Sequence, residues 1–111
     1  MSLDEFRERE KAFEAKYLHD EELVFKIKIK QNRLFAAWAA DLLGYKHKKA
    51  EDYINKIILI DLQQNKGETV LQTIILHLKE AKVQISEHRI HKEFERFYDL
   101  AHKAIMEKEE V

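Results

Sequence analysis

Across 111 residues the chain has no proline and two glycines, Gly44 and Gly67, and this scarcity of turn formers constrains the fold more than any motif does. Sheet-rich and loop-rich domains use both residues at turns that need a fixed or a positive φ. A chain without them is left with long helices joined by short connections. No breaker stands between the first residue and Gly44.

The hydrophobic pattern divides the chain accordingly. Leu23, Val24, Ile27, Leu34, Phe35, Trp38 and Leu42 recur at helical intervals over residues 22–43. Ala36, Ala37, Ala39 and Ala40 add helix propensity there and permit close approach. Gly44 stands where a left-handed residue would close this central helix, with residues 45–49 as the turn. A second helix is expected over residues 50–63, burying Tyr53, Ile54, Ile57, Ile58 and Leu62, because the β-branched run within it lacks strand turns at its flanks. After a polar break at residues 65–67, Thr69 and Gln72 have capping-box spacing. Val70, Leu71, Ile74, Ile75 and Leu78 then outline a third helix ending near Ala81. Val83 and Ile85 fall in a connector, and Ser86 is placed to cap a last helix built on Ile90, Phe94, Phe97, Ala101 and Ile105. The expected fold class is all-α, a four-helix bundle.

That bundle is assigned residues 21–111. Ahead of it, in residues 1–20, Leu3, Phe6, Glu10, Phe13 and Tyr17 step by threes and fours, the spacing of a narrow seam on one helix face. Ser2 and Glu5 have capping-box spacing at its start. Arg7, Glu8, Lys11 and Glu14 occupy the other face, with opposite charges three or four apart. One unbroken helix over residues 3–43 would run about 60 Å, whereas a compact domain of the later residues is roughly 30 Å across. The first half of this long N-terminal helix is therefore expected to project, bend back or be disordered when free, which leaves its seam available to a partner's groove. Periodicity alone leaves open a second reading, in which the seam packs on the chain's own core.

Charge and composition narrow the function by exclusion. Lys and Arg number 20 against 21 Asp and Glu, which argues against a nucleic-acid partner. The absence of Cys removes disulfides, thiolate catalysis and thiolate zinc sites, and fits a reducing cytoplasm. No segment is apolar enough to span a bilayer and no signal-peptide core opens the chain, so no direct membrane insertion is expected. His88 and His91 have i,i+3 spacing but lack a third ligand, and beside Arg89 and Lys92 they read as solvent-facing. His19 and Asp20 point in different directions on a helix and serve no nucleophile, while Asp20, Glu21 and Glu22 read as a solvated face. Both glycines stand alone without a preceding strand, which excludes the usual phosphate loop. Trp38 and the group Phe94, Phe97 and Tyr98 read as packing. No catalytic group, cofactor or metal site is expected, and the chain is not read as an enzyme.

Particular residue strings go further. Arg9 to Lys16 (REKAFEAK), His19 to Leu23 (HDEEL), Phe25 with Lys26, Trp38 to Gly44 (WAADLLG) and Ile85 to Ile90 (ISEHRI) together resemble the ζ-subunit family of α-proteobacterial ATP synthase, formerly a domain of unknown function, over essentially the whole chain. The resemblance implies a four-helix-bundle subunit that associates with the F1-ATPase catalytic sector, made of α, β and γ subunits, peripherally at the inner face of the plasma membrane. It implies inhibition of ATP hydrolysis by an N-terminal segment inserted at the α/β/γ interface. Phe6, Arg9, Phe13 and Tyr17 would then be interface residues, supported by Leu3, Arg7, Glu10 and Lys16. Arg7 departs from the family's pattern, which is acidic after the first Phe. Residues 61–67 are also less acidic than that pattern, and His47 to Lys49 replace a better helix cap. The alternative expectation is a helical interaction or assembly module, self-associating or nucleotide-sensing, with weak or no F1 inhibition.

Overall fold

The computed structural model describes residues 21–64 and 67–109. Among the described residues, four helices follow one another: α1 (Glu21–Leu42), α2 (Lys48–Gln64), α3 (Gly67–Glu80) and α4 (Glu87–Glu109). The all-α bundle expected from the hydrophobic periods is the observed architecture. Helix α1 is its axis, packing most extensively on α4 and α2 and also meeting α3. A helix with neighbours on several sides needs small residues on more than one face, and Ala36, Ala39 and Ala40 are all essentially inaccessible.

Phe35 is the hub of the core. Its fully buried ring stacks on Trp38 at 5.7 Å and lies 4.9 Å from Phe94 and 6.4 Å from Phe97. Ile57, Val70, Ile74, Leu78 and Ile90 complete the main cluster from the other three helices. A second cluster joins Leu23 and Ile27 of α1 to Ala101 and Met106 of α4, so the first turns of α1 are clamped to the last turns of α4.

The helix ends follow local chemistry. Gly44 adopts a φ of 80°, as its placement predicts, and α1 closes with Tyr45 N–H donating to the Ala40 carbonyl at 2.9 Å and Gly44 N–H to that of Asp41 at 3.1 Å. Ser86 caps α4 as expected, its Oγ accepting from Arg89 N–H at 3.1 Å.

Several boundaries and inward positions are corrected. Helix α2 starts at Lys48 rather than residue 50, because His47 takes a φ of 52° and turns the chain early. Helix α3 starts at Gly67, so Thr69 lies within its first turn and cannot be the cap that its spacing with Gln72 suggested. Leu62, expected inside, is 48 % exposed. The inward stripe of α2 is Tyr53, Ile57 and Asp61, four apart, and Leu62 is turned about 100° away from Asp61. Leu42, also expected inside, is 37 % exposed in the last turn of α1, while Leu43 just beyond it packs on the core. Trp38 and Phe94 pack at the margin of the core, half-buried.

Candidate functional site

All eight residues expected to touch a partner, Leu3, Phe6, Arg7, Arg9, Glu10, Phe13, Lys16 and Tyr17, lie outside the described residues. What the structure describes is the beginning of α1, which follows them in the chain. Leu23 and Ile27, in the first two turns of α1, are 3 % and 5 % exposed against α4. Two turns on, Gln31 Nε2 donates to the Phe94 carbonyl at 3.0 Å, a polar tie from α1 to the α4 backbone. The segment that precedes Glu21 therefore leads into a helix whose beginning is packed.

The same turns carry an outward feature. Residues 23–30 read LVFKIKIK, with Leu23, Phe25, Ile27 and Ile29 alternating with other residues. On a helix, residues two apart are separated by about 200°, so one half of such a run must face away from the other. Leu23 and Ile27 take the core, and Phe25 is left 51 % exposed. With Ile29, Ile105 of α4 and the side chains of Lys26, Lys30 and Arg33, it lines an open groove of about 250 Å³. The groove has an apolar floor and a cationic rim. Lys26 pairs with Glu22 at 3.5 Å, whereas Lys30 and Arg33 form no ion pair with another described residue.

A second cleft, of about 320 Å³, lies where the α1–α2 turn meets the end of α3, lined by Leu43, Tyr45, Tyr53, Lys56, His77 and Glu80. Tyr53 Oη and His77 Nδ1 are hydrogen-bonded at 2.8 Å, and the Tyr45 ring meets that of Tyr53 edge-on at 5.5 Å. Burial, with a smaller contribution from Tyr45, pushes the Tyr53 hydroxyl well above its ordinary range. Burial also draws His77 below its ordinary 6.5, helped by Lys56 and opposed by Glu80. Both groups are thus held neutral, and the pair ties α2 to α3.

On α4, Glu93 is 7 % exposed and takes Arg89 Nε on one oxygen at 3.1 Å. Arg96 grips the other oxygen through Nη2 at 2.7 Å and Nε at 2.9 Å. The Arg96 hydrogen bond is the main reason this carboxyl sits below the usual range, with burial opposing and the Arg96 charge and Arg89 adding to it. Arg96 also lies over the Phe97 ring, 4.5 Å from its centre. The i−4 and i+3 arginines around Glu93 were the available sequence signal, masked by the polar look of residues 86–93. His88 and His91 are exposed, as expected. Among the described residues, no group of three or more His, Asp and Glu is arranged to hold a metal ion, and no helix is long and apolar enough to cross a membrane.

Among known proteins, the model of a family described as ATPase inhibitor subunit zeta matches residues 3–104. That span takes in all eight expected contact residues together with α1, α2, α3 and most of α4. No curated protein and no solved structure matches the chain.

Proposed function

We propose that this chain, which belongs to the ATPase inhibitor subunit zeta family, is a non-catalytic inhibitor of ATP hydrolysis by F1-ATPase, with residues 1–20 as its inhibitory segment and residues 21–111 as the bundle that carries it. The observation that carries this reading is the extent of the family match, which begins at residue 3 and so includes the N-terminal seam as well as the helices.

In the proposed mechanism the segment enters the catalytic α/β/γ interface as a helix, and its insertion blocks rotation in the hydrolytic direction. Leu3, Phe6, Phe13 and Tyr17 supply apolar anchors, each aromatic contributing up to about 1.5–3 kcal/mol if fully buried. Arg7, Arg9, Glu10 and Lys16 set register and orientation. A wedge resists a moving part only if its base does not slip, and the packing of Leu23 and Ile27 on Ala101 and Met106 suits α1 to that task. The bound protein sits peripherally at the inner face of the plasma membrane.

The test is ATP hydrolysis by the cognate F1 sector, titrated with the full chain and with a form lacking residues 1–17. Saturable inhibition by the full chain is expected, lost in the shortened form while its helical content is retained. Equal inhibition by both forms would refute the assignment of the segment.

A further inference from the structure

We infer that the groove of Phe25, Ile29 and Ile105, rimmed by Lys26, Lys30 and Arg33, is a docking site for an acidic amphipathic helix of another protein. The bundle thereby gains an interaction surface of its own, separate from the N-terminal segment and independent of the inhibitory role proposed for it.

Shape is the first argument. Phe25, Ile29 and Arg33 step by four along α1, so the groove follows about 12 Å of helix, with Ile105 of α4 across from them. Phe25 is half exposed there although its neighbours Leu23 and Ile27 are buried. The volume of about 250 Å³ falls below the roughly 300–1,000 Å³ of small-molecule sites. An open, straight crevice of this size suits one or two apolar side chains of a helix laid along it.

Charge is the second. The chain as a whole is nearly neutral, yet from Leu23 to Ala40 α1 carries Lys26, Lys28, Lys30 and Arg33 and no carboxylate. The acids of its first turn are Glu21 and Glu22, and Glu22 is engaged by Lys26 at 3.5 Å. Lys30 and Arg33 are exposed and form no ion pair with another described residue. Cations beside an apolar floor are complementary to carboxylates beside apolar anchors, which is the pattern of an acidic amphipathic helix.

The described surface offers no such pattern to a second copy. Of the other exposed large apolar side chains, Leu42, Leu59, Leu62 and Leu100 have no Asp or Glu three or four residues away, and Leu76 has Glu80 next to Lys79. A lipid surface fits less well than a helix. Interfacial binding needs a broad apolar face that enters the acyl boundary, whereas these apolar residues form the floor of a groove.

The probe is a capped, alanine-based peptide of about 15 residues, long enough to hold a helix, with leucines along one stripe and glutamates flanking them. Titrated into the isotope-labelled full chain, it should shift the amide signals around Phe25, Ile29 and Ile105 saturably. No saturation by about 1 mM peptide would overturn the inference. Raising the ionic strength from about 0.01 to 0.15 M shortens the Debye length from about 30 to 8 Å and should weaken the binding several-fold. Binding indifferent to salt would reject the charge argument. Ile29→Glu should weaken binding roughly tenfold. Lys30→Glu combined with Arg33→Glu should weaken it about fivefold, and that variant should instead bind the same peptide with lysines in place of glutamates. Failure of this swap would overturn the inference even if Ile29→Glu perturbs the fold. Three results would give the groove another occupant and so overturn it. Groove signals that move with the concentration of the unmodified chain alone would indicate a second copy. Signals of residues 3–17 that move in Ile29→Glu without peptide would indicate the chain's own first residues. Sedimentation with phosphatidylglycerol vesicles, lost in Ile29→Glu, would indicate a lipid surface. None of these measurements involves F1, so this inference and the inhibitory role stand or fall separately.

Discussion

Gly44 and Lys82 close α1 and α3 with the same pair of backbone hydrogen bonds, from φ angles of 80° and 59°, although one is a glycine and the other a lysine. At the second site Val83 N–H donates to the Leu78 carbonyl and Lys82 N–H to that of Lys79, both at 3.0 Å, repeating the bonds of Tyr45 and Gly44. The two sites differ in which of them already bears strain.

A Cβ at Gly44 would meet no atom within 4 Å, so Gly44→Ala should add backbone strain alone. The expected cost is about 1 kcal/mol. Lys82→Gly should do the reverse and stabilise by up to about 1 kcal/mol, since it relieves strain already present. Urea unfolding of both variants measures the pair, and destabilisation by Lys82→Gly would show that the lysine side chain contributes more than its backbone costs.

Phe35 touches three other aromatic rings from a fully buried position. Phe35→Ala should therefore cost about 3–5 kcal/mol through lost burial and the cavity left behind. Trp38, the one tryptophan in the chain, stacks on that ring and reports the change in its fluorescence during denaturant unfolding. A cost below about 1 kcal/mol would mean that the core repacks freely.

Tyr53→Phe removes the hydroxyl from His77 Nδ1 and should cost about 1 kcal/mol at neutral pH. The burial of His77 sets the expected sign of a pH dependence. Its pKa in the folded protein lies below the ordinary 6.5, so the unfolded chain takes up this proton first as the pH falls. The stabilisation linked to His77 is complete above pH 6.5 and declines as the pH drops from there toward the folded value. His77→Gln should flatten the stability profile in that window. An unchanged slope would assign it to other groups.

Glu93 titrates with the opposite consequence at acid pH. Its folded carboxyl lies below the ordinary 4.5, held there chiefly by Arg96. The linked stabilisation is present above pH 4.5 and is lost as the pH falls through the folded value. Glu93→Gln should remove that acid-side loss and cost about 0.5–1 kcal/mol at neutral pH, because both arginines are largely exposed. Arg96→Gln should cost more than Arg89→Gln, since Arg96 makes two contacts to the carboxylate and also covers Phe97. Equal losses would count against that ranking.

The surfaces around these residues were unevenly legible. Tyr53 was recognisable as inward-facing from its spacing to Ile57, but its bond to His77 joins residues 24 positions apart on different helices. Phe25 and Ile29 were visible as apolar residues, yet nothing local states which half of the alternating run Leu23 to Lys30 finds the core. The contact seam itself is legible only as spacing, since Leu3 to Tyr17 lie outside the described residues.

The sequence by itself determined the order of the four helices among the described residues, the place of Phe35 in the apolar stripe of the central one, the closing glycine at Gly44 and the cap at Ser86. These depend on spacings of three and four residues and on local backbone preference, which act within a turn or two of the residue concerned. The tertiary structure alone decided that Asp61 and Glu93 are buried while Leu62 and Phe25 are exposed, and that a lysine closes α3. The reason is that burial depends on the side from which a neighbouring helix arrives, and a helix's own sequence does not record the position of its neighbours.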